Sequence, residues 1–167
     1  MQNTIWRLMA GTALSLVTLA SQAASTYKTV PVEITGVVKE TAGPALRCPT
    51  KFGGTVTGYG DSELIGRNVF VGGDCIKASY PIFESSRGQL IILTTGGDQI
   101  FVTYSGQMVP TGDGANYVCS GGTFQIVGGT ALYKNASGGG TLDCAEDLAT
   151  GLGTLKLTGR ISYFAPR

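Results

Sequence analysis

Gly121–Leu142, GGTFQIVGGTALYKNASGGGTL, carries the pattern that decides the fold. Short apolar pairs are interrupted every few residues by Gly, Ser, Thr or Asn, the residues that turn a chain sharply. In an extended strand successive side chains alternate between faces, so Phe124 and Ile126 fall on one side and Thr123, Gln125 and Val127 on the other. The stretch lies between Cys119 and Cys144. It predicts tightly turning antiparallel strands forming a barrel corner, with Phe124 and Ile126 inward and a covalent tie across the ends. Its glycines set backbone geometry. They show no Walker or dinucleotide pattern in a strand–loop–helix setting.

Upstream, Gly88–Thr95 reads as a strand, Gly96-Gly97-Asp98 as a turn, and Gln99–Tyr104 as its antiparallel return. Leu90–Leu93 is apolar on both faces, so one face meets the interior and the other needs cover, which raises the expectation of a homo-oligomer. Further short strands are expected at Val30–Val38, Phe52–Gly60, Asn68–Val71 and Thr154–Tyr163, with a short strand or extended connection at Tyr80–Glu84. Residues 24–29 read as a loose leader. Ala42–Lys51, Asp61–Arg67 and Gln107–Tyr117 read as loops or turns, and Ala145–Ala149 as one helical turn. No segment has a sustained helical apolar period. Seven or eight short strands with glycine-rich turns make the class all-β. A closed antiparallel barrel of about eight strands removes the edges such strands would expose, and glycines within strands suit its tight bends. A β-sandwich is the second choice.

The chain has 167 residues. Residues 1–23 read as a signal peptide: Arg7, an apolar run Leu8–Ala20 too short to span a bilayer comfortably, then Ser21-Gln22-Ala23 as a cleavage site. An uncleaved anchor is the weaker reading. Residues 24–167 then form a single domain, exported to the periplasm or beyond. Its acidic and basic residues balance, so charge gives no case for nucleic acid, and no apolar stretch after the signal argues for membrane insertion. Cys48, Cys75, Cys119 and Cys144 all fall in this part. An even count in an oxidising compartment reads as two disulfides. Of three connectivities, pairing sequence neighbours (Cys48 with Cys75, Cys119 with Cys144) is favoured over the others and over a four-thiolate zinc site, since no CxxC pair occurs.

Two stretches resemble the allene oxide cyclase-like (dirigent-like) β-barrels. One is the hairpin Gly88–Gly106, GQLIILTTGGDQIFVTYSG. The other is Gly122–Gly140, which is similar to that family's later glycine-rich segment. The chain departs from the family pattern at Ala131, usually glycine there, and in carrying disulfides. The resemblance implies an eight-stranded barrel with an apolar cavity, often a trimer, and no cofactor. Plant members cyclise an oxidised fatty acid or steer the coupling of phenolic radicals. No cyclase active-site motif aligns, so no catalytic residue is carried over.

The sequence contains no histidine, which excludes His-based triads, His metal ligands and His acid–base catalysis. Asp143, Glu146 and Asp147 cluster near Cys144, and a solvated acidic loop is favoured over a calcium site. Asn135-Ala136-Ser137 fits a glycosylation acceptor but reads more simply as a turn. If the barrel holds a cavity, Tyr59, Phe70, Tyr104, Phe124 and Tyr133 are the strand aromatics expected to line it. Glu33 and Arg160 are rare strand charges whose burial would signal function. The plainer alternative makes the aromatics ordinary core and both charges solvent-facing. Two functions follow: a barrel that binds a small apolar molecule, any catalysis being a cofactor-free cyclisation or coupling guidance, or a non-enzymatic envelope or extracellular protein with a filled barrel.

Overall fold

The computed structural model describes residues 26–165. The expected signal peptide, 1–23, lies outside them. Eight antiparallel strands follow one another: β1 (Thr26–Pro44), β2 (Phe52–Asp61), β3 (Asn68–Ser79), β4 (Ile82–Thr94), β5 (Gln99–Pro110), β6 (Asn116–Gly129), β7 (Ser137–Asp147) and β8 (Leu152–Ala165). Each pairs with its neighbour in sequence, and β1 pairs with β8 to close the barrel. The class is all-β and closed.

Closure depends on the length of β1. Its residues Thr26–Lys39 pair with Ala165–Leu152, while Thr35–Pro44 pair with Asp61–Phe52. This offset of one strand between two partners is the stagger a closed barrel requires. The strands are longer than expected from the sequence, at 10–19 residues. Pro44, and both ends of the loop expected at Gln107–Tyr117, are strand although their residues are poor strand formers; residues 111–115 are loop as expected. In a closed sheet, pairing on both sides overrides that preference. Lys28, for example, pairs with Tyr163 in what reads as a loose leader. Similarly, Ala145–Asp147 extends β7 opposite Thr154–Leu152 and forms no helical turn.

The opening stretch divides as its parity predicts. Phe124 and Ile126 of β6 are buried, and β6 runs to Gly129 before a 3-10 turn, Ala131–Tyr133, leads into β7. Register slips between Val118 and Thr123, where Gly121 adopts φ 61°, a conformation that favours glycine. Cys119 and Cys144 are bonded across this irregularity, and Cys48, in the β1–β2 loop, is bonded to Cys75 of β3.

Apolar residues fill one end of the barrel, the end bearing the β2–β3, β4–β5 and β6–β7 connections. Ile65, Ile92, Ile100, Phe124, Ile126, Tyr133, Leu157 and Ile161 pack there with Phe70. The Phe70 ring occupies space left by glycine: a Cβ on Gly36 would lie 2.5 Å from it. The opposite end, where the β1–β2, β3–β4, β5–β6 and β7–β8 connections lie, is not filled in this way.

Candidate functional site

At that open end the barrel contains a cavity of about 530 Å³. Alternation along the strands builds it. On β1 the inward parity of Val32 and Ile34 continues to Val38 and Glu40. On β7 it runs through Leu142, Cys144 and Glu146, and on β5 through Val102, Tyr104 and Met108. Val56, Leu90, Leu142 and Leu155 form the apolar wall, with Ile76, Phe83 and Met108 towards the opening. The Cys119–Cys144 disulfide is part of the same wall, beside Met108 Sδ, which lies 3.4 Å from Cys144 Sγ.

Three carboxyl groups converge on the cavity from separate strands: Glu40 of β1, Asp74 of β3 and Glu146 of β7. The Glu40 side chain lies over Gly54, where a Cβ would overlap its carboxylate, so glycine at this position makes room for the acid. Glu40 and Glu146 lie side by side, so that a neutral Glu40 can donate a hydrogen bond to the Glu146 carboxylate. Burial, then the Asp74 and Glu146 charges, push Glu40 up to about 8, so it is mostly neutral at pH 7. Burial also raises Glu146.

Asp74 is better satisfied. It accepts a hydrogen bond from the Gly54 backbone N–H at 3.1 Å and another from Ser85 Oγ. Burial raises its pKa, while these two hydrogen bonds and the Arg47 charge act in the opposite direction. The Tyr104 hydroxyl is buried beside the Asp74 carboxylate and forms no hydrogen bond of ordinary geometry with it. Burial, followed by the charges of Asp74 and Glu40, raises it far above the ordinary phenol range. Among the described residues none of the three carboxyls forms an ion pair; the ion pairs found are Asp61–Arg67, Lys77–Glu84 and Glu33–Lys156.

The sequence-derived candidates are scattered by the structure. Tyr104 alone of the five aromatics lines the cavity. Phe70 and Phe124 belong to the packed core, and Tyr133 sits in the 3-10 turn at the closed end, its ring 5.4 Å from that of Tyr163. Tyr59 is a correction. It points outward from β2 and is 67% exposed, because it has the parity opposite to Val56. Glu33 and Arg160 are outward as well. Glu33 pairs with Lys156 at 3.1 Å, and Arg160 donates to the Thr29 carbonyl at 3.4 Å.

The acidic trio near Cys144 is also divided. Asp143 faces outward, Glu146 faces the cavity, and Asp147 caps the β7–β8 turn by accepting from the Ala149 N–H at 2.9 Å. Glu40 and Asp74 were missed in the sequence. The signal for Glu40 was available in the alternation Val32, Ile34, Gly36, Val38, which reaches it in step. Asp74 is likewise in step with Asn68, Phe70 and Gly72 on β3, but the strand expected from the sequence stops at Val71, before the Gly72-Gly73 pair, so the alternation is not followed to it.

The class defined by fold and cavity is a closed, up-and-down antiparallel β-barrel with a ligand-sized hollow at one end. No protein family matches the chain, and no curated protein does. Among solved structures it is similar to a pterocarpan synthase dirigent protein, at 11% sequence identity over 92% of this chain and 98% of that one, with a TM-score of 0.44. No residue role is taken from that likeness.

Proposed function

We propose that this protein is an exported barrel that binds one small, largely apolar molecule in the open-end cavity. The observation that carries the reading is the cavity itself: about 530 Å³, walled by Val56, Leu90, Leu142 and Leu155, with a surface that is mostly apolar. Ligand sites of this kind have volumes of roughly 300–1,000 Å³ and use few polar groups to orient what apolar contact holds. A filled barrel serving only as a structural or interaction protein would have no such space. Export is supported by the signal-like N-terminus and by two disulfides, which persist in oxidising compartments.

Binding is a sufficient function for this site. Any catalysis would consist of holding a reactive conformer in a confined space, with a neutral Glu40 able to donate a proton or hydrogen bond at neutral pH. Native mass spectrometry of the protein purified from its own host tests the reading. A discrete added mass of one small apolar molecule per chain is expected. Bare chain alone, together with failure of a panel of uncharged aromatic and aliphatic compounds to add mass, would overturn it.

A further inference from the structure

We propose that the ligand of this cavity carries a cationic amine, held by the Glu40–Glu146 carboxyl pair with Asp74 and the Tyr104 hydroxyl beside it. The inference rests on the cavity-binding reading above. Its basis is the one-sided chemistry of the cavity's polar end. Glu40, Asp74 and Glu146 arrive there from three different strands. Two basic side chains lie nearby; the Lys39 charge partly offsets that of Glu146, but neither forms an ion pair with the acids. Lys39, at the rim, donates to the Thr150 carbonyl, and Arg47 stands outside the cavity lining, on the Asp74 side.

An anionic ligand would meet three acidic groups in a partly enclosed space. A neutral one would leave Glu40 and Glu146 facing only each other. An ammonium has several N–H donors and one positive charge, which suits two adjacent carboxyl groups, and a buried charge is tolerated where it is paired. The buried Tyr104 hydroxyl, whose proton faces Asp74, adds an oxygen free to accept at the same end. Most of the remaining wall surface is apolar, so the ligand is an amine on a largely hydrophobic body.

Proton balance follows. Before binding, Glu40 and Glu146 share a proton; an ammonium takes its place, and the proton leaves to solvent. Affinity therefore rises with pH towards about 8 and levels off above it, where Glu40 has lost that proton unaided. The other titratable groups facing the pair are Asp74, Tyr104, Lys39 and, from the β7–β8 turn, Asp147.

The test uses three fluorescent compounds of one shape: 1-naphthylmethylamine, 1-naphthylmethanol and 1-naphthoate. Each is titrated into the purified protein at pH 7.5, and into the Glu40→Gln and Glu146→Gln variants, whose folding is checked by thermal melts. A charge-assisted hydrogen bond in a dry site predicts that the amine binds about tenfold or more tighter than the alcohol. The carboxylate should bind weakest, and the amine–alcohol ratio should collapse in either variant. Equal binding of amine and alcohol, or preference for the carboxylate, overturns the inference and leaves the cavity reading standing. If none of the three binds, and an uncharged probe such as N-phenyl-1-naphthylamine also fails, the cavity reading falls and takes this inference with it.

Discussion

Glu40→Gln should make the protein more stable at alkaline pH and remove much of its pH dependence. Glu40 is raised from 4.5 to about 8, mainly by burial. A carboxyl group whose pKa is higher in the folded state than in the unfolded chain holds its proton more tightly when folded. Its presence therefore costs nothing below about pH 4.5, and the cost grows as pH rises, levelling off above about 8. The span sets a ceiling of about 5 kcal/mol on that cost, at 1.36 kcal/mol per unit. Water at the cavity opening and the proton shared with Glu146 reduce it, to about 2 kcal/mol. Glutamine keeps the side-chain shape over Gly54 and cannot ionise. Urea unfolding at pH 5, 7 and 9 reads the effect. The variant should match the parent within about 0.5 kcal/mol at pH 5 and exceed it by about 2 kcal/mol at pH 9. Parallel loss of stability in both proteins between pH 5 and 9 would show that Glu40 ionises freely and is not buried as described.

Three further outcomes can be checked on the same material. Tyr104→Phe removes a buried hydroxyl that lies beside Asp74 without a well-formed hydrogen bond, and should change stability by less than about 1 kcal/mol in urea melts; a loss above about 1.5 kcal/mol would mean the hydroxyl is firmly bonded to Asp74. Replacing Cys119 and Cys144 together by Ala should cost about 3 kcal/mol, as expected for a tie closing a loop of some 25 residues, and unchanged unfolding would contradict the covalent role given to it. Val37, Tyr59, Val69, Val71, Ile91 and Leu93 form an exposed apolar surface on the outer face of β1–β4, so the protein should elute from gel filtration as an oligomer, and Leu93→Lys should shift it towards monomer. Monomeric elution of the parent would show that this surface stays open.

The fold was legible in the sequence because period-2 alternation and glycine punctuation are local signals. The parity of Phe124 and Ile126, and the turn at Gly96–Asp98, needed no tertiary information. Strand length was less legible. Ala42–Pro44 and Gln107–Pro110 are extended because neighbours pair with them, and composition alone argues otherwise. The site was hardest to see. Aromatic residues are natural guesses for a cavity wall, yet Phe70 and Phe124 fill space while shorter residues at the other end leave it empty. Glu146 looked like one of three solvated acids, and only the β7 register separates it from Asp143. Asp74 is inward by the same alternation as Phe70, but it follows Gly72-Gly73, which read as the end of the strand and hide that parity.

The central claim is that the barrel binds an apolar molecule inside its open end. Fluorescence titration with N-phenyl-1-naphthylamine, an uncharged probe that brightens in apolar surroundings, tests it most directly when run beside Val38→Trp. Val38 lies half-buried on the cavity wall, and the larger side chain occupies the space a ligand needs. Saturable binding of one probe per chain, lost in a Val38→Trp variant that melts normally, is the predicted result. No saturable binding to the parent, or equal binding to parent and variant, would contradict it.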